Sequence, residues 1–172
     1  MAAPLIVPIS NKARHADDKP QPAGRGGVSA ILSDNKTSLI ADWLARSKRT
    51  PELNHLHLSN EQRIGHLSKL VDDIVLRLAK PDLPTQDSDA APSPAAVEHG
   101  KLRRTQGYSS AMLIHESRIL QVTIFGTLHK NLSLLDFDAL LPDVMTIADE
   151  VDSQLTQAME GYMDLAGQPA AA

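Results

Sequence analysis

An all-α bundle of about five helices behind a disordered N-terminal arm is the fold this sequence predicts, and three observations predict it. Apolar residues make up 42% of the 172 residues but aromatics only 3%, so the core must be aliphatic, and Leu- and Ala-rich chains favour helices over sandwiches. Apolar positions recur at spacings of three and four in successive segments, while the alternation of a half-buried strand is missing. Helix-start and helix-stop residues punctuate those segments at the expected places.

In chain order, Met1 to about Ser29 mixes Pro, Gly, Lys, Arg and Asp without period, and residues 1–30 are expected to be a disordered arm. Its Lys12, Arg14, Lys19 and Arg25 would either touch an acidic partner or simply be solvated. Residues 31–165 form the helical domain, and 166–172 a frayed tail. The first helix is expected to start near Ser33 or Asp34, to bury Leu39, Ile40, Trp43 and Leu44, and to end before Pro51. Arg46, Lys48 and Arg49 complement the dipole of its last turn.

Ser59 with Gln62 reads as a capping box opening a second helix that runs to about Ala79. Its stripe is Ile64, Leu67, Leu70, Val71, Ile74, Val75 and Leu78. Asp82 to Pro94 reads as a surface linker. Ser93-Pro94 opens the third helix and Ser109 or Ser110 the fourth, with Gly107 the stop between them. The fourth helix, to about Lys130, buries Met112, Leu113, Ile119, Leu120, Thr123, Ile124 and Leu128. After a connection over Leu132 to Leu141, Pro142 starts or kinks the last helix, which runs to about Met163. Its expected stripe is Val144, Met145, Ala148, Val151, Leu155, Ala158, Met159 and Tyr162, with Asp149, Glu150, Asp152 and Glu160 on an acidic outer face.

Composition excludes several classes of function. With no cysteine there is no disulfide, no thiolate nucleophile and no zinc finger or ribbon. A net charge of -4 argues against nucleic acid as the main partner. No apolar run approaches the ~20 residues of a membrane helix, and Leu5-Ile6-Val7 between two prolines is no signal peptide, so a cytoplasmic protein is expected. No phosphate loop, dinucleotide fingerprint or nucleophile elbow occurs. His55-x-His57 lacks the spacing of a metal site, and the pairs Asp72-Asp73 and Asp149, Asp152 read as solvated faces. No cofactor, no metal and no enzyme activity are expected.

One stretch carries polar residues in a pattern of its own. His99, Arg103 and Gln106 fall at i, i+4 and i+7 on one helix face. If the next helix folds back after Gln106-Gly107-Tyr108, His99 meets Glu116, and Arg103 is long enough to reach the same carboxylate. His99, Arg103, Gln106, Tyr108 and Glu116 therefore form a candidate ligand or switch cluster, with Gly107 as its structural turn. A histidine facing a carboxylate is a candidate protonation switch. The alternative is that the same five residues satisfy one another across the hairpin and fix its register.

Several blocks together resemble one family. They are Ala41-Asp42-Trp43-Leu44 with Arg46 and Thr50-Pro51-Glu52-Leu53; Leu58-Ser59-Asn60-Glu61-Gln62-Arg63; His66-Leu67 with Leu70-Val71-Asp72-Asp73-Ile74; and His99-Gly100, Arg103, Gln106-Gly107-Tyr108, Glu116 and Arg118 to Leu120. This set resembles the RsbRD-type N-terminal domain of RsbT co-antagonist proteins, over roughly Ile40 to Tyr162. Ser117 and Gln121 depart from it where the family commonly has an aromatic residue and an arginine. The resemblance implies a helical input domain of the kind found ahead of bacterial sensor histidine kinases and in stressosome-type regulators. With no kinase core or anti-sigma-antagonist domain in the sequence, a stand-alone sensor-like protein or an excised input domain is expected.

Three functions follow as expectations. The first is a non-enzymatic signal-input domain acting through protein contacts, with a kinase or sigma-factor regulator as partner. The second is a small-molecule or haem-binding bundle, with His99, His115 or His129 as axial ligand. The third is a self-assembling scaffold, a homodimer formed through the first and last helices.

Overall fold

A computed structural model describes residues 27–80 and 92–167. Most of the expected N-terminal arm, all but the last three residues of the expected linker and the end of the expected tail lie outside the described residues. Among the described residues there are eight α-helices, one 3-10 turn and no strand: α1 (Val28–Asp34), α2 (Lys36–Arg49), α3 (Pro51–Asn54), α4 (Asn60–Ile64), α5 (Leu67–Leu78), α6 (Pro94–Thr105), α7 (Ser110–Lys130), the 3-10 turn Leu132–Leu134, and α8 (Phe137–Gly167). The all-α bundle is present, with two of the expected helices broken into pieces.

The first helix begins earlier than the sequence suggested. Val28, Ile31 and Leu32 are buried at spacings of three and four, and that apolar turn draws α1 onto the core before Ser33 is reached. Asn35 interrupts the helix, its Nδ2 donating to the Ile31 carbonyl at 2.9 Å. Beyond it, α2 buries Leu39 and Trp43 as expected. Pro51 ends α2 and also opens the single turn of α3, where its missing N–H costs nothing.

The expected continuous second helix is two helices. Ser59 caps α4 through the capping box, its Oγ accepting from the Gln62 amide while Gln62 Oε1 accepts from the Ser59 amide at 2.8 Å. Gly65 then takes φ +49°, a conformation that would strain any residue with a Cβ, and stops α4. The stop leaves the last carbonyls of α4 without intrahelical partners.

The remaining boundaries follow the caps in the sequence. Ser93 Oγ accepts from the Ala96 amide, with Pro94 in the first turn of α6. Ser109 Oγ accepts from the Met112 amide to open α7. Gly107, at φ +84°, makes the turn between them. All seven residues expected to be buried on α7 are buried, along with Thr127.

Helix α8 departs most from expectation. It starts at Phe137, with the Asp138 amide donating to Asp136 Oδ1 at 3.2 Å, and runs through Pro142 to Gly167. Its buried positions are Ile147, Glu150, Val151, Gln154, Ala158, Gly161 and Tyr162, whereas Met145 is 56% exposed. Glu150, expected on the acidic outer face, is buried and accepts from Gln154 Nε2 at 3.0 Å. The register is set by α6. A Cβ added at Gly100 would overlap the Ala158 carbonyl, and one added at Gly161 would overlap the Val97 carbonyl, so the two backbones touch there. The close backbone approach at Gly100 and Gly161, together with the buried Ile147, Val151 and Tyr162, decides which face of α8 turns inward.

Candidate functional site

The hairpin of α6 and α7 brings together the five residues singled out in the sequence. Arg103 is 0% exposed and Glu116 3%. The guanidinium grips the carboxylate at both oxygens, Nε donating to Oε2 at 2.8 Å and Nη2 to Oε1 at 2.6 Å. His99 Nε2 lies 3.2 Å from Glu116 Oε2. Facing a carboxylate, that nitrogen must carry the ring proton, which leaves Nδ1 an acceptor in the neutral imidazole.

The rest of the guanidinium faces the end of α4. Nη1 donates to the Gln62 carbonyl at 2.9 Å and to Gln106 Oε1 at 2.7 Å, and Nη2 donates to the Arg63 carbonyl. Gln106 Nε2 donates to the same Gln62 carbonyl at 3.0 Å. Every donor on Arg103 is therefore used. The carbonyls freed by the Gly65 stop are the ones it binds, and its positive charge sits at the negative end of α4. Arg103 thus joins three helices: its own, α7 through Glu116, and α4 through the backbone.

The ring of Tyr108 lies under the guanidinium, 4.9 Å from Cζ to its centroid. Burial, and then the charge of Glu116, push the Tyr108 hydroxyl pKa up to about 12. Its backbone carbonyl accepts from Tyr162 Oη on α8 at 2.7 Å, and Tyr162 Oη in turn accepts from Arg104 Nη1 at 2.9 Å. The turn at the cluster is thereby tied to the C-terminal part of α8.

Burial alone would raise the pKa of Glu116, but His99 and Arg103 outweigh it and hold the carboxyl below the usual range. The charge is retained in the interior because the pairing is bidentate and fully hydrogen-bonded.

Sequence reasoning missed three participants. His66 stands edge-on to His99, with ring centroids 6.3 Å apart, and burial, followed by the charge that His99 carries when protonated, lowers its pKa. Arg63 is buried and donates to the Leu53 carbonyl at 3.0 Å and the Leu56 carbonyl at 2.6 Å, pinning the loop that leads into α4. Gln62 supplies the shared carbonyl. Gly65 inside an apolar stripe was the available signal, since an isolated glycine there marks a break with free carbonyls. His55 and His57 are exposed, and no group of residues that could hold a metal is found among the described residues.

Beside the cluster lies a cavity of about 30 Å³ walled by α2, α5, α6, α7 and α8. Trp43, His99, Glu116 and Gln154 are among its lining residues. No helix among the described residues is long and apolar enough to cross a membrane.

No protein-family model, curated protein or solved structure matches the chain.

Proposed function

We propose that the chain is a non-enzymatic signal-input domain that acts through protein contacts, with the His99–Arg103–Glu116 cluster as its switch and α8 as the element that carries the change outward. The partner class this reading favours is a histidine kinase or a sigma-factor regulator, as the resemblance to RsbRD-type input domains suggests.

The observation that carries the reading is the link from Glu116 through Arg103 and Tyr108 to Tyr162 on α8, whose hydroxyl also accepts from Arg104. A change in protonation or packing at the cluster alters the 106–108 turn, and the turn is hydrogen-bonded to α8. That helix also has a surface suited to a partner. Phe137, Leu141 and Met145 form an i, i+4, i+8 ridge and are 65%, 68% and 56% exposed.

The same ridge favours a second reading, a scaffold that assembles with itself. The haem reading has less support, because His115 and His129 are exposed and the cavity that His99 lines, about 30 Å³, is far below the several hundred a cofactor of that size requires.

A pull-down with the full chain as bait, run with and without His99→Ala, tests the proposal. Capture of a kinase or sigma-factor regulator, changed severalfold by the substitution, supports it. The same capture regardless of His99 leaves the cluster structural. Recovery of the bait alone favours self-assembly.

A further inference from the structure

The cavity beside Glu116 is where five helices meet, and its chemistry is uneven. Most of the wall is leucine, valine and alanine side chains. Three lining residues, each at least nine-tenths buried, carry a polar atom with no hydrogen-bond partner among the described residues: Trp43 Nε1, His99 Nδ1 and Gln154 Oε1. Unpaired polar atoms in the interior are costly and rare. Here the three belong to three different helices, α2, α6 and α8, around one small space. Trp43 offers a donor. Gln154 Oε1 offers an acceptor, because its amide nitrogen already donates to the Leu70 carbonyl at 3.0 Å and to Glu150. With the neutral ring's Nε2–H towards Glu116, His99 Nδ1 is a second acceptor, and in the protonated ring it is a donor.

One hydroxyl group answers that set, since its oxygen accepts from the indole while its hydrogen goes to the amide or the imidazole. A charged head group does not fit, because Glu116 is already neutralised by Arg103 and the wall is otherwise apolar. At about 30 Å³ the space takes a hydroxyl and one or two carbons. Leu155 lines both this cavity and an apolar surface groove that Ile114, Met159 and Met163 also line.

We propose that this cavity is a binding site for a small neutral hydroxyl compound, of the size of a short-chain alcohol, held by Trp43, His99 and Gln154 with its carbons towards Leu155. The inference rests on the signal-input reading only for what the ligand would do. Occupancy places the ligand against both His99 and the inner face of α8.

Trp43 is the sole tryptophan, so its indole N–H gives a single resonance that reports on the site. The test is a titration of the full chain with ethanol, following that resonance in the wild type and in Ser117→Leu, which fills the cavity from a position outside the three polar contacts. A saturable shift with a dissociation constant on the order of millimolar is expected for so small a ligand, weakened at least tenfold by Ser117→Leu. Should that variant not fold, Val151→Leu adds a methylene group to the same wall and carries the same expectation. A shift that grows linearly without saturation means the indole meets only solvent, and overturns the proposal. So does saturable binding that neither variant weakens. A partner captured in the pull-down without any saturable shift would remove the ligand site and leave the signalling reading standing. A saturable, variant-sensitive shift without a partner would support the site on its own.

Discussion

Arg103 and Glu116 face each other in the interior of the bundle, joined by two hydrogen bonds of 2.8 and 2.6 Å between adjacent helices. A buried pair of this kind does not stabilise much relative to a well-packed apolar pair, but removing one partner strands a charge. Arg103→Ala and Glu116→Ala should each cost about 3–5 kcal/mol in denaturant unfolding. The double variant should cost clearly less than the sum. His99→Ala and Glu116→Ala should likewise be non-additive, with a coupling of order ~1 kcal/mol. Additive losses would remove the proposed pairing.

Acid should unfold the protein through the same carboxylate. The Glu116 pKa is depressed in the folded state below its ordinary 4.5. Its contribution is therefore complete above that value and is lost as pH falls through the depressed one. Unfolding free energy measured between pH 6 and pH 2 should drop below pH 4.5 in the wild type, and more shallowly in Glu116→Gln. Parallel curves would mean that other carboxylates dominate.

Glu150 should show the opposite sign. Burial raises its pKa above 4.5, against the Gln154 hydrogen bond and the Arg77 charge. The folded state then binds the proton more tightly, and the group costs stability as pH rises. Glu150→Gln should raise the unfolding midpoint at pH 7, with a gain that shrinks below pH 4.5. A loss at pH 7 would show that the charge itself is needed there.

The crossing of α6 and α8 leaves no room at Gly100 or Gly161. Gly100→Ala should cost about 1–3 kcal/mol or more, since an added methyl group overlaps backbone rather than a movable side chain. Gly126→Ala, where the added methyl group comes within 3.9 Å only of the end of the Arg46 side chain, should be neutral or slightly stabilising. Equal effects at the two positions would contradict the close approach.

Tyr162→Phe removes the hydroxyl that joins Arg104 to the Tyr108 carbonyl. The loss should be about 1–3 kcal/mol, because a buried acceptor loses its partner. Thermal unfolding of the two proteins side by side measures it, and an unchanged midpoint would mean the link carries no load.

Much of this arrangement could be read from the chain because it obeys local rules. Ser59, Ser93 and Ser109 cap helices where their spacing says they should, and the i, i+4, i+7 spacing of His99, Arg103 and Gln106 put Arg103 within reach of Glu116. Other features obey tertiary rules. An apolar stripe on α8 picked out Met145, which faces solvent, and missed Gln154 and Gly161, which face the core. Burial there comes from backbone contact and hydrogen bonding, which hydrophobic periodicity does not register. The break at Gly65 depends in the same way on Arg103, far along the chain, taking up the freed carbonyls.

The measurement that bears most directly on the central claim is amide hydrogen exchange along α8 in the wild type and in His99→Ala. If the cluster governs α8, protection from Val151 to Tyr162 falls by more than it does in α2, which lies outside the Arg104–Tyr162–Tyr108 link. If protection is lost only in α6 and α7 around the substitution, or falls equally everywhere, the cluster holds the hairpin together and sends nothing outward.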